Sequence, residues 1–107
     1  MHTTFSATLD PSGEHLEVLG EVDLASADQF AAAMDLLLAR GTSRACVRMA
    51  GVTFIDSSGL AALLRGHRSA ADRNITLVVV EPSEPVRALL RLTALDLALR
   101  IEDADTH

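Results

Sequence analysis

The valine-rich run Ile75-Thr76-Leu77-Val78-Val79-Val80 constrains the fold of this chain more than any other segment. It is the most hydrophobic run in the sequence, and β-branched residues occupy four of the five positions before Val80. Strands that are buried on both faces, as parallel strands are, have this pattern of nearly continuous apolar residues. The run therefore predicts a central strand of a sheet, with both of its faces buried.

The composition indicates how the core around that strand is built. The chain has 107 residues, of which 49% are hydrophobic but only 3% aromatic, with no Trp and no Tyr. This length corresponds to one domain with a single core. We expect that core to consist of Leu, Val, Ile and Ala side chains, which suits helices packed closely against a sheet. The scarcity of aromatic rings also argues against binding to single-stranded nucleic acid, which relies on base stacking.

The charge of the chain disfavours two further classes of partner. The formal net charge is −6, and all nine basic residues are arginines. Phosphate backbones and anionic lipids repel an acidic chain, so neither nucleic acid nor a membrane surface is an expected partner. The first residues lack a signal-peptide pattern, and no apolar run approaches the ~18 residues of a membrane span. We therefore expect a soluble, cytoplasmic protein, in which the single cysteine, Cys46, is a buried core thiol.

Turn and capping residues divide the rest of the sequence into strands and helices. Alternating apolar residues on both sides of Asp10-Pro11-Ser12-Gly13 predict a hairpin. Ser26 followed by Gln29 fits a capping box, and Arg40-Gly41 fits the end of that helix. A third helix is expected after its cap at Ser83. The predicted elements are strands over about 4–9 and 15–20, a loop over 20–24, a helix over 26–40, a strand over 44–49, a helix from 57 to about 73, the central strand over 75–80, a helix from 83, and a short strand over 98–101.

This order of elements, β-β-α-β-α-β-α-β, predicts one α/β domain over residues 1–107 with a mixed sheet. The sequence leaves open whether the helices lie on one face of the sheet or on both, and it leaves the oligomeric state open. The acidic end over 102–107 is expected to be frayed.

The segment Thr53-Phe54-Ile55-Asp56-Ser57-Ser58-Gly59-Leu60 carries the main indication of function. It places two small hydroxyls at a predicted helix N-terminus, where free backbone N–H groups and the helix dipole favour negative charge. On the pattern alone, the simplest interpretation is a helix-capping turn. The alternative is that one hydroxyl is chemically active or is modified.

Catalysis by a serine of this segment lacks a visible partner. A nucleophilic serine needs a base within hydrogen-bond reach, but His67 follows Ser57 by ten residues on the same predicted helix, about 15 Å along its axis. The four histidines show no pair at metal-ligand spacing, and the scattered glycines form no phosphate-binding loop. Asp23 and Asp56 both follow strand-like segments, yet their spacing does not establish a carboxylate pair. We therefore expect no enzyme activity, no metal and no cofactor.

Two segments of the chain together resemble the signature segments of STAS domains. These are Gly20-Glu21-Val22-Asp23 and Phe54-Ile55-Asp56-Ser57-Ser58-Gly59-Leu60. The likeness extends over most of the chain, and it is strongest to bacterial anti-sigma-factor antagonists. Members of that family often have a glycine in the turn after the third helix, where this chain has Thr93-Ala94-Leu95. Little sequence follows Ile101 for the C-terminal helix that is common in the family.

The resemblance implies a regulatory mechanism that involves protein partners. The unmodified antagonist binds an anti-sigma factor that is also a serine kinase, and it thereby frees the sigma factor for transcription. The kinase phosphorylates the serine directly after the motif aspartate, here Ser57, which ends the binding, and a serine phosphatase restores it. The implied partner-binding residues are Asp23, Asp56, Ser57, Ser58, Gly59 and Leu60. An alternative within the same family is a scaffold or transporter-accessory subunit, similar to a stressosome component or a lipid-importer subunit, without serine phosphorylation.

Overall fold

A computed structural model of the chain describes residues 5–103, and in it five strands form one mixed sheet that three helices cover. The predicted order of elements is confirmed. The strands lie side by side in sequence order, with β1 antiparallel to β2 and all the other neighbours parallel. The elements are β1 (Ser6–Leu9), β2 (His15–Val22), α1 (Ala27–Ala39), β3 (Arg44–Ile55), α2 (Ser57–Asp72), β4 (Thr76–Val80), α3 (Glu84–Leu92) and β5 (Arg100–Glu102), and a 3-10 turn over Leu95–Leu97 precedes β5.

All three helices cover the same face of the sheet. Leu16, Val47 and Val79 lie side by side on β2, β3 and β4, and they belong to the same buried core as the apolar residues of all three helices. Each parallel connection moves one strand further in the same direction, and right-handed crossovers of that kind put their helices on the same face. The core therefore lies between one face of the sheet and the three helices.

The opposite face, which we call the open face, carries charged side chains in ion pairs. Arg48 of β3 lies 3.1 Å from Glu17 of β2 and also pairs with Glu81, while Arg44 pairs with Glu102 of β5. Val78 points to this face and is nevertheless fully buried. On this face of β4, however, Thr76 is exposed and Val80 is half-buried, so the predicted burial on both faces holds only for the middle of the strand. β4 is the fourth of the five strands, and the central position belongs to β3.

Strand β3 is twelve residues long, where the alternation of the sequence predicts about six. Its pairing with β2 contains two register shifts, one before Gly51 and one before Phe54. Each shift is a β-bulge, in which β3 has one residue more than the segment of β2 that it pairs with. The core residues Met49, Val52 and Ile55 therefore recur at a spacing of three. The alternation of buried and exposed residues that identifies a strand in the sequence stops at Met49, which is where the predicted strand ended.

Two other boundaries differ from the prediction. β2 continues to Val22, so the loop predicted over 20–24 begins only at residue 23. The last strand begins at Arg100, two residues later than predicted, because the backbone N–H groups of Ala98 and Leu99 still donate to the carbonyl oxygen of Leu95 in the 3-10 turn. Glu102 was predicted in the frayed end but pairs with Val80 in β5. Asp103 follows the strand, and residues 104–107 of that predicted end lie outside the described residues.

Ala94, in the turn after α3, has a left-handed backbone with φ +60°. That conformation costs a residue with a Cβ about 1–2 kcal/mol. Ala94→Gly removes this cost and loosens the unfolded chain, which offsets part of the gain. We expect the free energy of unfolding, measured with urea, to rise by about 0.5–1 kcal/mol. Ala98→Gly is the matched control, since Ala98 has φ −99° and its replacement should only destabilise. Equal effects of the two replacements would contradict the assignment of strain to Ala94.

Candidate functional site

The two signature segments meet where β2 and β3 end. Val22 and Ile55 are register partners at these ends, and the backbone N–H of Asp56 donates to the carbonyl oxygen of Val22 at 3.2 Å. Asp23 and Asp56 are the next residues on neighbouring parallel strands, which lie about 4.8 Å apart. Binding sites of α/β sheets form at the carboxyl ends of parallel strands. We call this region, with the start of α2, the carboxyl edge.

Asp56 caps helix α2 with its side chain. Its Oδ1 accepts hydrogen bonds from the backbone N–H of Ser58 at 2.9 Å and of Gly59 at 3.1 Å. The capping function therefore falls on the aspartate. Ser57, the first residue of α2, has an exposed side chain, whereas that of Ser58 is partly buried. Of the two hydroxyls in the segment, the one on Ser57 is the more accessible to another protein.

Gly59 and Leu60 are buried, although the resemblance implies that they bind the partner. A Cβ placed on Gly59 would overlap the carbonyl oxygen of Val22 and would lie 2.8 Å from Val22 Cγ1. The absence of a side chain at Gly59 thus lets α2 rest directly on the end of β2. Leu60 is 7% exposed and belongs to the core. The two residues therefore offer little surface of their own in the free chain, and their direct contact with a partner stays a prediction.

The loop before α1 is held by Ser26 in a way the sequence did not reveal. The predicted capping box with Gln29 is wrong, because Ser26 makes no side-chain cap to α1. Its Oγ donates to the carbonyl oxygen of Glu21 at 2.8 Å and accepts from the N–H of Asp23 at 3.0 Å. Asp23 Oδ1 in turn accepts from the N–H of Ser26 at 3.1 Å. The spacing Asp-x-x-Ser was the available sign of this reciprocal pair.

Two large apolar side chains near this edge are exposed, and neither was predicted as a site residue. Leu24, which follows Asp23, is 79% exposed, and Phe54, which precedes Ile55, is 47% exposed. Phe54 is the register partner of Glu21. Their exposure depends on the course of the loop and on the second bulge of β3, which sequence alternation does not show.

The ionisable groups with shifted pKa lie away from the carboxyl edge. A hydrogen bond from Ser12 lowers the pKa of Asp10 in the hairpin turn, and a hydrogen bond from Arg44 lowers the pKa of Glu102 on the open face. Burial raises the pKa of the Cys46 thiol, so its reactive thiolate form is disfavoured. Perturbed groups often mark catalytic sites. At the carboxyl edge, the exposed Ser57 directly follows Asp56, whose carboxylate is engaged as the cap of α2.

Three surface hollows lie on other parts of the described residues. One of about 200 Å³ lies between α3 and β5, one of about 330 Å³ on the open face, and one of about 450 Å³ between β1 and α1. Within residues 5–103, no group of three or more His, Cys, Asp and Glu side chains is placed to hold a metal ion. No helix in that range is long and apolar enough to cross a membrane.

Solved structures of several proteins share this fold. An anti-sigma factor antagonist from Mycobacterium paratuberculosis superposes with a TM-score of 0.81 at 20% identity, over 92% of this chain and 86% of that one. The phosphorylated form of the Bacillus cell fate determinant SpoIIAA gives 0.69 at 20% identity, over 95% and 92%. A sulfate transporter family protein from Wolinella succinogenes gives 0.72 at 24% identity, over 89% and 80%. At these identities the likeness establishes the fold alone.

A family model provides the closer assignment. No curated protein matches the chain. The model described as "Mlab, STAS domain" matches residues 5–101, which include both signature segments, the first four strands and most of the fifth. The chain therefore belongs to the STAS-domain family.

Proposed function

We propose that this STAS domain is an anti-sigma-factor antagonist that is switched by phosphorylation of Ser57. In its unmodified form it binds an anti-sigma factor with serine-kinase activity and so releases the sigma factor. Phosphorylation ends the binding, and a serine phosphatase restores it. The domain itself is a substrate and a binding module and has no catalytic role. The observation that carries this proposal is the exposed Ser57 hydroxyl at the start of α2, within the second signature segment and next to the end of the first.

The electrostatics of the carboxyl edge support a local switch. To be modified, the Ser57 hydroxyl has to approach the γ-phosphate of ATP on the kinase. After transfer, a group of about −1.5 to −2 charges faces the remaining diphosphate. Charge pairs at close range in interfaces couple by about 1.5–7 kcal/mol, enough to separate the partners when the charges are alike. Asp56 already occupies the α2 cap, so the added charge acts on the surface of the complex more than on the fold.

The structural neighbours are consistent with this proposal. Two of them are SpoIIAA in unphosphorylated and phosphorylated form, and others are anti-sigma factor antagonists. The proposed phosphoryl acceptor is Ser57, which directly follows Asp56 as the antagonist motif requires.

A phosphate-transfer experiment tests the proposal. The purified chain is incubated with ATP and, one at a time, the anti-sigma factor kinases of its source bacterium, and the product is mapped by mass spectrometry. We expect phosphate on Ser57, full loss of the signal in Ser57→Ala, and its retention in the neighbouring control Ser58→Ala. Binding of Ser57→Asp should be about tenfold weaker or more, while Ser57→Ala binds like the unmodified chain. Phosphate on another residue, or equal binding of both variants, contradicts the switch.

A second candidate is an accessory subunit of a transporter. It is favoured by the structural neighbour from a sulfate transporter family. In that function Ser57 stays unmodified, and the chain purifies in a stable complex with transporter subunits. Mass spectrometry of the chain isolated from its own organism separates the two candidates, since only the first produces a phosphorylated fraction.

A further inference from the structure

We propose that the antagonist docks through a surface with two apolar anchors, Leu24 and Phe54, inside an acidic rim formed by Glu21, Asp23 and Asp28. We call this the docking surface, and the partner that fits it is a protein that offers basic residues around an apolar depression. This inference rests on the proposed function, because it concerns the contact made beside Ser57.

An exposed phenylalanine is unusual in a chain with so few aromatic residues. Of the three phenylalanines, Phe5 and Phe30 pack edge to face with ring centroids 6.3 Å apart, and Phe30 is fully buried. Phe54 is almost half exposed, and Leu24 is more exposed still. Large apolar side chains, aromatic ones above all, supply much of the energy of protein interfaces. Leu19 extends the apolar area, since its side chain lies over Gly51 on the open face.

The charge around the anchors has a single sign. The two sequence stretches that contain the carboxyl edge, residues 19–31 and 50–64, have four acidic residues and none of the nine arginines of the chain. All the arginines lie outside these stretches, at positions 40, 44, 48, 65, 68, 73, 87, 91 and 100. Interfaces match opposite potentials, which also accelerates association. A second copy of the chain would bring acid against acid, so a basic partner is the occupant that fits.

The acidic rim and the phosphorylation switch make different demands on the partner. The rim carboxylates need cations opposite them in both states of Ser57. The Ser57 hydroxyl faces the nucleotide phosphates of the kinase, where added negative charge repels. A partner with basic residues around an apolar depression, next to its nucleotide site, satisfies both demands.

Binding measurements with anchor variants test the docking surface. All variants carry Ser57→Ala, so that phosphorylation does not interfere, and the probe is the kinase that transfers phosphate to Ser57. We expect Leu24→Ala and Phe54→Ala each to raise Kd about tenfold. Leu36→Ala and Leu97→Ala are matched controls, because these leucines are 61% and 86% exposed but lie outside the docking surface. Raising the salt concentration should weaken binding, and Glu21→Gln with Asp28→Asn should reduce this salt dependence.

A second probe keeps the docking surface testable if no kinase modifies Ser57. An amphipathic peptide of alternating leucine and arginine is titrated into the ¹⁵N-labelled chain. We expect its largest NMR shift changes at residues 21–28 and 54–57. Changes centred on Leu92 and Leu97, or an effect of the control variants equal to that of the anchors, overturn the docking surface. Absence of phosphate transfer with a positive peptide result overturns the proposed switch alone.

Discussion

Replacing Gly59 with alanine should lower the free energy of unfolding by about 2–3 kcal/mol, at the upper end of what overpacking costs. In an exposed helix the same change would be favourable. Here the new Cβ overlaps the carbonyl oxygen of Val22, which is held in place because it accepts the N–H of Asp56. The start of α2 must therefore move away from β2, and Ser57 moves with it. Urea unfolding gives the stability, and phosphate transfer to Ser57 gives the effect on the site.

Gly66→Ala is the matched control for this prediction. Gly66 is also buried on α2, but a Cβ there would meet the Met34 Sδ at 2.6 Å. A methionine side chain adapts by rotation, whereas a backbone carbonyl in a sheet does not. We expect Gly66→Ala to cost less than about 1 kcal/mol and to leave phosphate transfer unchanged. Equal losses in both variants would mean that the contact with Val22 is not what sets the position of Ser57.

Replacing Ser26 with alanine should cost about 2 kcal/mol of stability, because it leaves buried polar groups without partners. Ser26 is 5% exposed, and its Oγ serves both the carbonyl of Glu21 and the N–H of Asp23. Without it, the loop that carries Asp23 and Leu24 loses its fixed course. We expect lower thermal stability together with faster amide exchange at Asp23, measured by NMR.

Ser83→Ala provides the comparison for Ser26. Both serines precede a helix, and the Oγ of Ser83 is buried as well, but it has no hydrogen-bond partner within residues 5–103. Removing an unpaired buried hydroxyl is neutral or favourable. The expected order is a loss for Ser26→Ala and no loss for Ser83→Ala. The reverse order would show that burial alone, and not hydrogen bonding, determines the cost.

The order of elements could be predicted from the sequence, because each element is marked by a pattern of neighbouring residues. The apolar run over 75–80, the hairpin turn at Asp10-Pro11-Ser12-Gly13 and the Asp56 cap depend only on neighbouring residues. The length of β3 was missed because its bulges arise from pairing with β2. The placement of all helices on one face was left open, since it follows from the direction of the crossovers and not from any single segment.

The candidate site was predicted in part for the same reason. Asp56 and Ser57 stand at a recognisable strand-to-helix junction, and the structure brings Asp23 beside them. The different roles of neighbouring residues were not visible, because burial separates Gly59 and Leu60 from the exposed Ser57 only after α2 has packed on the sheet. The exposure of Leu24 and Phe54 likewise depends on the loop and on the bulge.

The two bulges of β3 have a consequence for how chains of this kind are compared. From Cys46 to Ile55 the strand uses ten residues to accompany the eight from His15 to Val22. The surplus is taken up between Arg48 and Phe54, so a relative that lacks one bulge is a residue shorter there and still ends opposite the same point of β2. Gaps in an alignment therefore belong inside this strand, and counting residues back from the serine to the strand's start misassigns which side chains face inward. The reference point for such an alignment is the pairing of Val22 with Ile55.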